Sequence, residues 1–345
     1  MPFIFNRKYL KSPLHLSMQL RVGIDIGGTT TSVGLVDENG RIIFKNTFLT
    51  GAESSPNALI LAIKTWIQSK ANSLQAEIVS AGIGAPNGNI HTGNIEYAPN
   101  LPWKGIIPLR SLFEKALQVP VKLTNDANAA AMGEWIFGAA KNCNNFLFIT
   151  LGTGLGSAIV SEGKMIYGHS GMAGELGHVI LKNNGRLCGC GRLGCAETYC
   201  SASGLVSTYA EITAIDSKEI SARLIYEKAL RGEAEALQAF ELLTDDLALL
   251  LANAVAFSSP EKIFLFGGLT QSGNLLMKPL KMKFEARLME IFKGKVDLEF
   301  SGLHENHAAI LGASALVFTG RNFQFIQSAR PVDKAGPSIE NVSPT

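Results

Sequence analysis

One pattern occurs twice in this chain and limits its fold more than any other feature. It is an apolar strand, a glycine-rich turn and a second strand. The first copy is IDIGGTTTSVGLVDENGRII at residues 24–43, and the second lies in NFLFITLGTGLGSAIVSEGKMI at 145–166. Superposed, Gly27 matches Gly152, Thr29 matches Gly154 and Ser32 matches Ser157. Each copy opens an α/β stretch, so the chain reads as a duplicated fold. Its 345 residues suffice for two such halves.

Hydrophobic periodicity and turn signals supply the remaining elements. Helices are expected near 56–72 and 108–118, from Ala127 directly after Asn125-Asp126, over most of 202–258, and at 274–292 and 307–318. Strands are expected at 21–26, 78–83, 120–124, 262–266 and 296–300. The fifth of these helical stretches follows a strand that ends at Gly267-Gly268. Residues 1–20 read as an N-terminal extension, with Met18 an alternative initiator, and 321–345 as a loosely ordered tail.

Composition excludes several classes. Apolar residues are 46% and charged residues 17%, which rules out a wholly disordered chain. No apolar run reaches the roughly 18–20 residues of a membrane span. With 31 Lys+Arg against 29 Asp+Glu, the net charge of +2 offers no case for nucleic-acid binding. The first twenty residues lack a secretory cleavage pattern, and five cysteines cannot all pair, so a reducing cytoplasm is expected.

Neither glycine turn fits the dinucleotide fingerprint, because each leads into a strand rather than a helix, and no GxxxxGK[ST] run occurs. What remains is a hairpin whose backbone N–H groups can approach an anion closely. Thr29, Thr30 and Thr153 add hydroxyls, and Asp25 suits a Mg²⁺ held mainly through water. Two such hairpins facing one another would grip a polyphosphate; alone, either one is equally an ordinary tight turn. His178, Cys188, Cys190 and Cys195 form a Cys₃His set, the donor set of a closed structural zinc site. Free surface thiols are the blander alternative, while Cys143 and Cys200 look like small core residues. Asn125-Asp126 lies between a strand and a helix. There a carboxylate serves either as an N-cap or as a group facing the ligand crevice at a strand end. Asn100, Glu175 and Glu197 are further polar residues in loops.

Taken together, DIGGT at 25–29, NDANAA at 125–130, TLGTGLGSAIV at 150–160, GHSGMAGELGH at 168–178 and CGCGRLGCAE at 188–197 resemble the ROK family (repressors, open reading frames and sugar kinases). The likeness spans about residues 21–320. It implies an α/β, two-domain actin-like ATPase (ribonuclease H-like) fold with a small zinc knuckle. Residues 21–124 plus 305–320 then form a small domain, and 125–304 a large one carrying the zinc loop 178–195. By the same resemblance Asp126 is the general base for a sugar hydroxyl, and Asn100, Asn125, Glu175, His178 and Glu197 contact the sugar. Gly27, Gly28, Thr29, Thr153, Gly154, Gly267 and Gly268 match the ATP-binding turns. His178 would bind zinc through one ring nitrogen and reach the sugar with the other. One departure stands out: where family members often carry a PGxVD-like run, this chain reads Pro86-Asn87-Gly88-Asn89-Ile90.

The resemblance implies an ATP-dependent sugar kinase using ATP, Mg²⁺ and a structural Zn²⁺, and a homodimer. Glucose is the first-choice substrate, with N-acetylmannosamine, N-acetylglucosamine and fructose as alternatives. The family's repressors carry an N-terminal helix-turn-helix domain of several dozen residues. Only twenty residues precede the first strand, so the kinase is preferred. A non-catalytic sugar-binding protein is disfavoured by Asp126 and both glycine turns.

Overall fold

The computed structural model describes residues 18–51 and 55–318; most of the expected N-terminal extension and all of the tail 321–345 lie outside the described residues. The strands β1 (Gln19–Ile26), β2 (Thr30–Val36) and β3 (Ile42–Leu49) form an antiparallel meander. Helix α1 (Pro56–Ser73) then leads to β4 (Glu77–Gly84), parallel to β1. A two-stranded ladder of β5 (Ile95–Glu96) and β6 (Ile106–Ile107) follows, then α2 (Leu109–Leu117) and β7 (Val121–Thr124), parallel to β4. Helix α3 (Asp126–Phe137) crosses to a second sheet.

That sheet repeats the plan. Its meander is β8 (Phe146–Leu151), β9 (Leu155–Ser161) and β10 (Lys164–Met165). Helices α4 (Glu197–Cys200), α5 (Ala202–Thr213), α6 (Ala222–Leu230) and α7 (Ala234–Ser258) precede β11 (Lys262–Phe266). Helix α8 (Asn274–Arg287) and β12 (Asp297–Phe300) come next, and α9 (Glu305–Ala315) returns to the first sheet. The strand orders are β3-β2-β1-β4-β7 and β10-β9-β8-β11-β12, one design used twice. The duplication read from the two glycine turns is therefore the architecture.

The register refines that superposition. Ile26 pairs with Thr31 across four residues, Gly27 to Thr30, whereas Leu151 pairs with Leu155 across three, Gly152 to Gly154. The second turn is thus one residue shorter, and Ser32 corresponds in position to Gly156 rather than to Ser157. On the outgoing strand the match holds, so Asp25 corresponds to Thr150. The helix expected over 274–292 ends at Arg287, because Leu288 turns extended (φ −68°, ψ 144°) and the Glu285 carboxylate accepts the Gly294 N–H at 2.7 Å.

Alternation along the strands sorts the core into layers. On β1, Leu20, Val22, Ile24 and Ile26 pack with α1 and α2, leaving Arg21, Gly23 and Asp25 on the opposite face. On β8, Leu147, Ile149 and Leu151 join the core under α5, α7 and α8, while Phe146 and Phe148 face α3 and the end of α9. The helix pair α3 and α9 therefore lies between the two sheets. Trp135 of α3 meets Phe146 edge to face at 5.8 Å between ring centroids, and Phe146 meets Phe264 in the same way at 5.7 Å.

What lets α9 lie so close to the first sheet is a row of glycines within its strands. Gly34, Gly23 and Gly82 stand opposite one another on β2, β1 and β4. A Cβ at Gly23 would collide with the Ile310 carbonyl, one at Gly82 with the Ala313 carbonyl, and one at Gly34 with the Ile310 side chain. The α9 backbone therefore rests directly on the sheet. The crossing with α3 is equally close, since a Cβ on Gly133 would stand 2.8 Å from the Gly312 Cα. At the far end of α3, the buried Glu134 carboxylate accepts the N–H of Ala139 at 2.7 Å, the N–H of Gly302 at 2.9 Å and the Ser301 hydroxyl. This ties α3 to the segment that leads into α9.

Gly82→Ala is expected to lower unfolding stability by about 3 kcal/mol in urea titrations, because the added methyl can be housed only by lifting α9. Gly268→Ala, facing open space, should change it by less than about 0.5 kcal/mol. Equal effects at the two positions would contradict the close seat of the helix.

Candidate active site

The chain leaves β7 at Thr124 and enters α3 at Asp126, so the two polar residues at this junction compete for the cap. The structure divides the work. Asn125, extended at φ −70° and ψ 163°, is the N-cap, and its Oδ1 accepts the Asn128 N–H at 2.7 Å. Asp126 is released from capping and stands as the first helical residue, its Oδ1 accepting the neighbouring Ala127 N–H at 2.9 Å. It is open to solvent yet flanked by protein, and this loss of surrounding water pushes its carboxyl above the usual carboxylate range.

Asp25 lies beside it. A Cβ on Gly84 would touch Asp25 Oδ1 at 3.6 Å and Asp126 Cα at 3.7 Å, so the two acids flank the end of β4. Burial, and then the Asp126 charge, raise the Asp25 pKa to about 7. No cationic side chain forms a salt bridge with Asp25 among the described residues. A carboxylate so placed fits a cation supplied from outside. In the second half the equivalent Thr150 only accepts the Gly156 N–H through its hydroxyl at 3.0 Å.

The first turn is exposed at Gly28, Thr29 and Thr30, with the Gly27 N–H bonded to the Thr30 carbonyl at 2.9 Å. Asn100 is brought to this turn, its carbonyl lying where a Gly28 Cβ would approach to 2.5 Å. The second turn exposes Thr153. Gly267, at φ +105° just after β11, packs on the Leu151 carbonyl beside that turn, and Gly268 borders open space. The nucleotide-turn residues expected from the sequence thus fall into two groups, one on each sheet.

Loop 168–178 is fastened to β9 by Ser157, whose hydroxyl donates to the Gly174 carbonyl and accepts the Leu176 N–H at 3.2 Å. It presents Glu175 and His178 on one short turn, with Glu175 Oε2 3.9 Å from His178 Nε2. Burial pushes the Glu175 carboxyl up; the His178 side chain opposes this, and the charges of Asp126 and Glu197 add to it. Their effect on Glu175 means that Asp126 and Glu197 both lie near it. The other His178 nitrogen, Nδ1, lies 3.6 Å from Cys188 Sγ, and Cys190 Sγ lies 3.6 Å from Cys195 Sγ. All four donor atoms fall within 4.8 Å of one another. A tetrahedral zinc ion holds neighbouring S and N donors about 3.5–3.8 Å apart, so the set fits such an ion.

Glu197 does more than its sequence position suggested. Its Oε2 accepts the Leu155 N–H at 2.9 Å, while Oε1 lies 3.8 Å from Cys188 Sγ. The first backbone N–H of α5, from Ala202, donates to the Gly152 carbonyl at 2.8 Å. The Cys₃His knuckle and the second glycine turn are therefore joined through this one carboxylate and the start of α5. Sequence reasoning missed Ser157 as the anchor of the loop, and it missed Asn89 and His91. The only signal for the latter pair was the departure at Pro86 to Ile90.

Comparison with known proteins agrees with this geometry. The model of the ROK family matches residues 21–319. The glucokinase of Thermotoga maritima is 34% identical over 309 residues, covering 86% of this chain and 96% of that one. The xylose repressor of Bacillus subtilis is 28% identical over 299 residues, covering 86% of this chain and 76% of that one. Among solved structures, a ROK family glucokinase from Streptomyces griseus in complex with glucose and AMPPNP superposes with a TM-score of 0.73 at 31% identity. It covers 86% of this chain and 98% of that one. The chain belongs to the ROK family, and its two sheets are those of the actin-like α/β fold.

The knuckle carries its own test. Treatment with a strong chelator, or Cys190→Ser, should raise backbone hydrogen exchange at 175–197 and at the Leu155 amide by at least about tenfold, leaving β11 protected. Exchange at Leu155 that ignores both treatments would break the link through Glu197.

Proposed function

We propose that this ROK family enzyme transfers the γ-phosphoryl group of ATP to the primary hydroxyl of a hexose, with glucose as first substrate. The observation that carries this reading is the freeing of Asp126 from capping by Asn125, at a point where Glu175 and Glu197 converge. Asp126 takes the proton from the sugar hydroxyl as that oxygen attacks the γ-phosphorus in line. Phosphoryl transfer leaves the protein mainly positioning and charge stabilisation to perform. Backbone N–H groups of the two glycine turns, with Thr29, Thr30, Thr153, Gly267 and Gly268, hold the phosphates from both sheets. Asp25 would hold a Mg²⁺, which when bound would neutralise charge on the phosphates.

On the sugar side, the Asn125 carbonyl oxygen is already engaged as the cap, which leaves its NH₂ to donate. Glu175 and Glu197 accept from sugar hydroxyls, and Asn100 closes the site from the first turn. His178 Nδ1 and the three cysteines would hold zinc, which would fix the direction of the ring and leave Nε2 for the substrate. Relatives named for glucokinase activity, and the glucose complex of the Streptomyces griseus protein, support hexose as the substrate class.

Coupled ADP release across a panel of hexoses and N-acetylhexosamines should give the highest kcat/KM with glucose; a strong preference for an N-acetylhexosamine or fructose would reassign the substrate. Asp126→Ala should lose about 10²–10⁴-fold in turnover while retaining sugar binding. Near-native turnover would remove Asp126 from the mechanism. Asp126 works as the anion and its pKa is raised. The acid limb of kcat/KM must therefore lie above the usual carboxylate range, with activity falling as pH drops through it. A limb at ordinary carboxylate values would count against this assignment.

A further inference from the structure

The run Pro86 to Ile90, where the chain departs from its family's pattern, has no part in the site described above. It is nonetheless built with care. Asn89 is buried, and its Oδ1 accepts the His91 N–H at 3.0 Å and the Thr92 N–H at 3.4 Å, a side-chain turn that shapes the loop. Gly88 packs on the Thr124 carbonyl, one residue before the cap of α3. The loop is thus fixed to the first sheet beside Asp126.

Its remaining polar atoms reach the other half of the molecule. Asn89 Nδ2 donates to the Ser170 carbonyl at 2.9 Å, and His91 Nε2 is 3.0 Å from the Gly168 carbonyl. Because a carbonyl only accepts, His91 carries a hydrogen on Nε2. The His91 ring also meets the Tyr167 ring edge to face, 6.4 Å between centroids. Residues 167–171 open the loop that ends in Glu175 and His178. That loop is consequently held at both ends by different halves of the chain: by Ser157 of β9 near Glu175, and by Asn89 and His91 near its start.

We propose that Asn89 and His91 are positioning residues for sugar capture, clasping the start of loop 168–178 to the first sheet so that Glu175 and His178 meet the same sugar that faces Asp126. This rests on the sugar-kinase reading. Neither residue touches the reacting atoms; both act through the loop. Loss of the clasp lets the loop follow the second sheet alone, and the sugar then has to supply the ordering that the clasp provides in advance.

Asn89→Asp separates this role from a local structural one. It keeps the oxygen that accepts from His91 and Thr92, and it replaces the donor to Ser170 with an oxygen facing a carbonyl. The expected result is a rise of about tenfold in KM for the sugar, with KM for ATP and kcat within about twofold of the parent. His91→Ala should behave alike, and His91→Gln, which retains a donor, should recover most of the loss. In sugar-free protein, hydrogen exchange at 168–173 should rise in Asn89→Asp and His91→Ala, with 86–94 still protected. An unchanged sugar KM and unchanged exchange in Asn89→Asp would overturn the proposal. So would an equal loss for sugar and ATP. If the parent phosphorylates no sugar on the panel, the kinase reading fails, and the sugar-free exchange measurement still decides the clasp.

Discussion

The site depends on how closely two helices approach a sheet. Helix α9 rests its backbone on Gly23 and Gly82 and its Ile310 side chain on Gly34, and it crosses α3 through Gly133 and Gly312. The first residue of α3 is Asp126. Its distance from Asp25 on β1 is therefore set by backbone contacts rather than by flexible side chains. Glu134 secures the other end of the same helix. In the proposed reaction, a general base held by rigid elements needs little reorganisation, which is where positioning contributes most.

The electrostatics follow from that placement. Asp25, Asp126, Glu175 and Glu197 gather with little cationic support, and burial raises three of them. Such a cluster opposes folding by self-repulsion and desolvation, a cost that the proposed binding of substrate and cation would offset. Glu197 is half-buried, bonded to the Leu155 N–H, and set against the knuckle. Asn125 supplies the helix cap, typically worth about 1 kcal/mol, so Asp126 is not needed for that cap.

Much of this was legible in the amino-acid order because it is local. The glycine turns announced both hairpins, and the repeat of strand, turn and strand announced a duplicated sheet. The Cys₃His spacing announced the knuckle, and the strand–Asn–Asp–helix junction announced the corner where Asp126 is proposed to act. What stayed hidden depends on pairing between distant segments. Glycine appeared to belong to loops, yet Gly23, Gly34 and Gly82 lie within strands, and their alignment exists only once β2, β1 and β4 are in register. The shorter second turn is likewise invisible until Leu151 is seen opposite Leu155. Asn125 and Asp126 are equally good caps by residue type, and only the backbone angles choose between them. Asn89 and His91 bond to carbonyls about eighty positions further along, which no short-range pattern encodes.

The seat of α9 also has a consequence for biosynthesis. The strands that receive the helix leave the ribosome long before the helix itself. Residues 126–300 include a complete sheet with its covering helices and can condense in the interval. The earlier sheet must meanwhile wait with its glycine-lined face uncovered. Nascent chains stalled before residue 305 should therefore display a half-finished β-surface, a natural point of engagement for a chaperone.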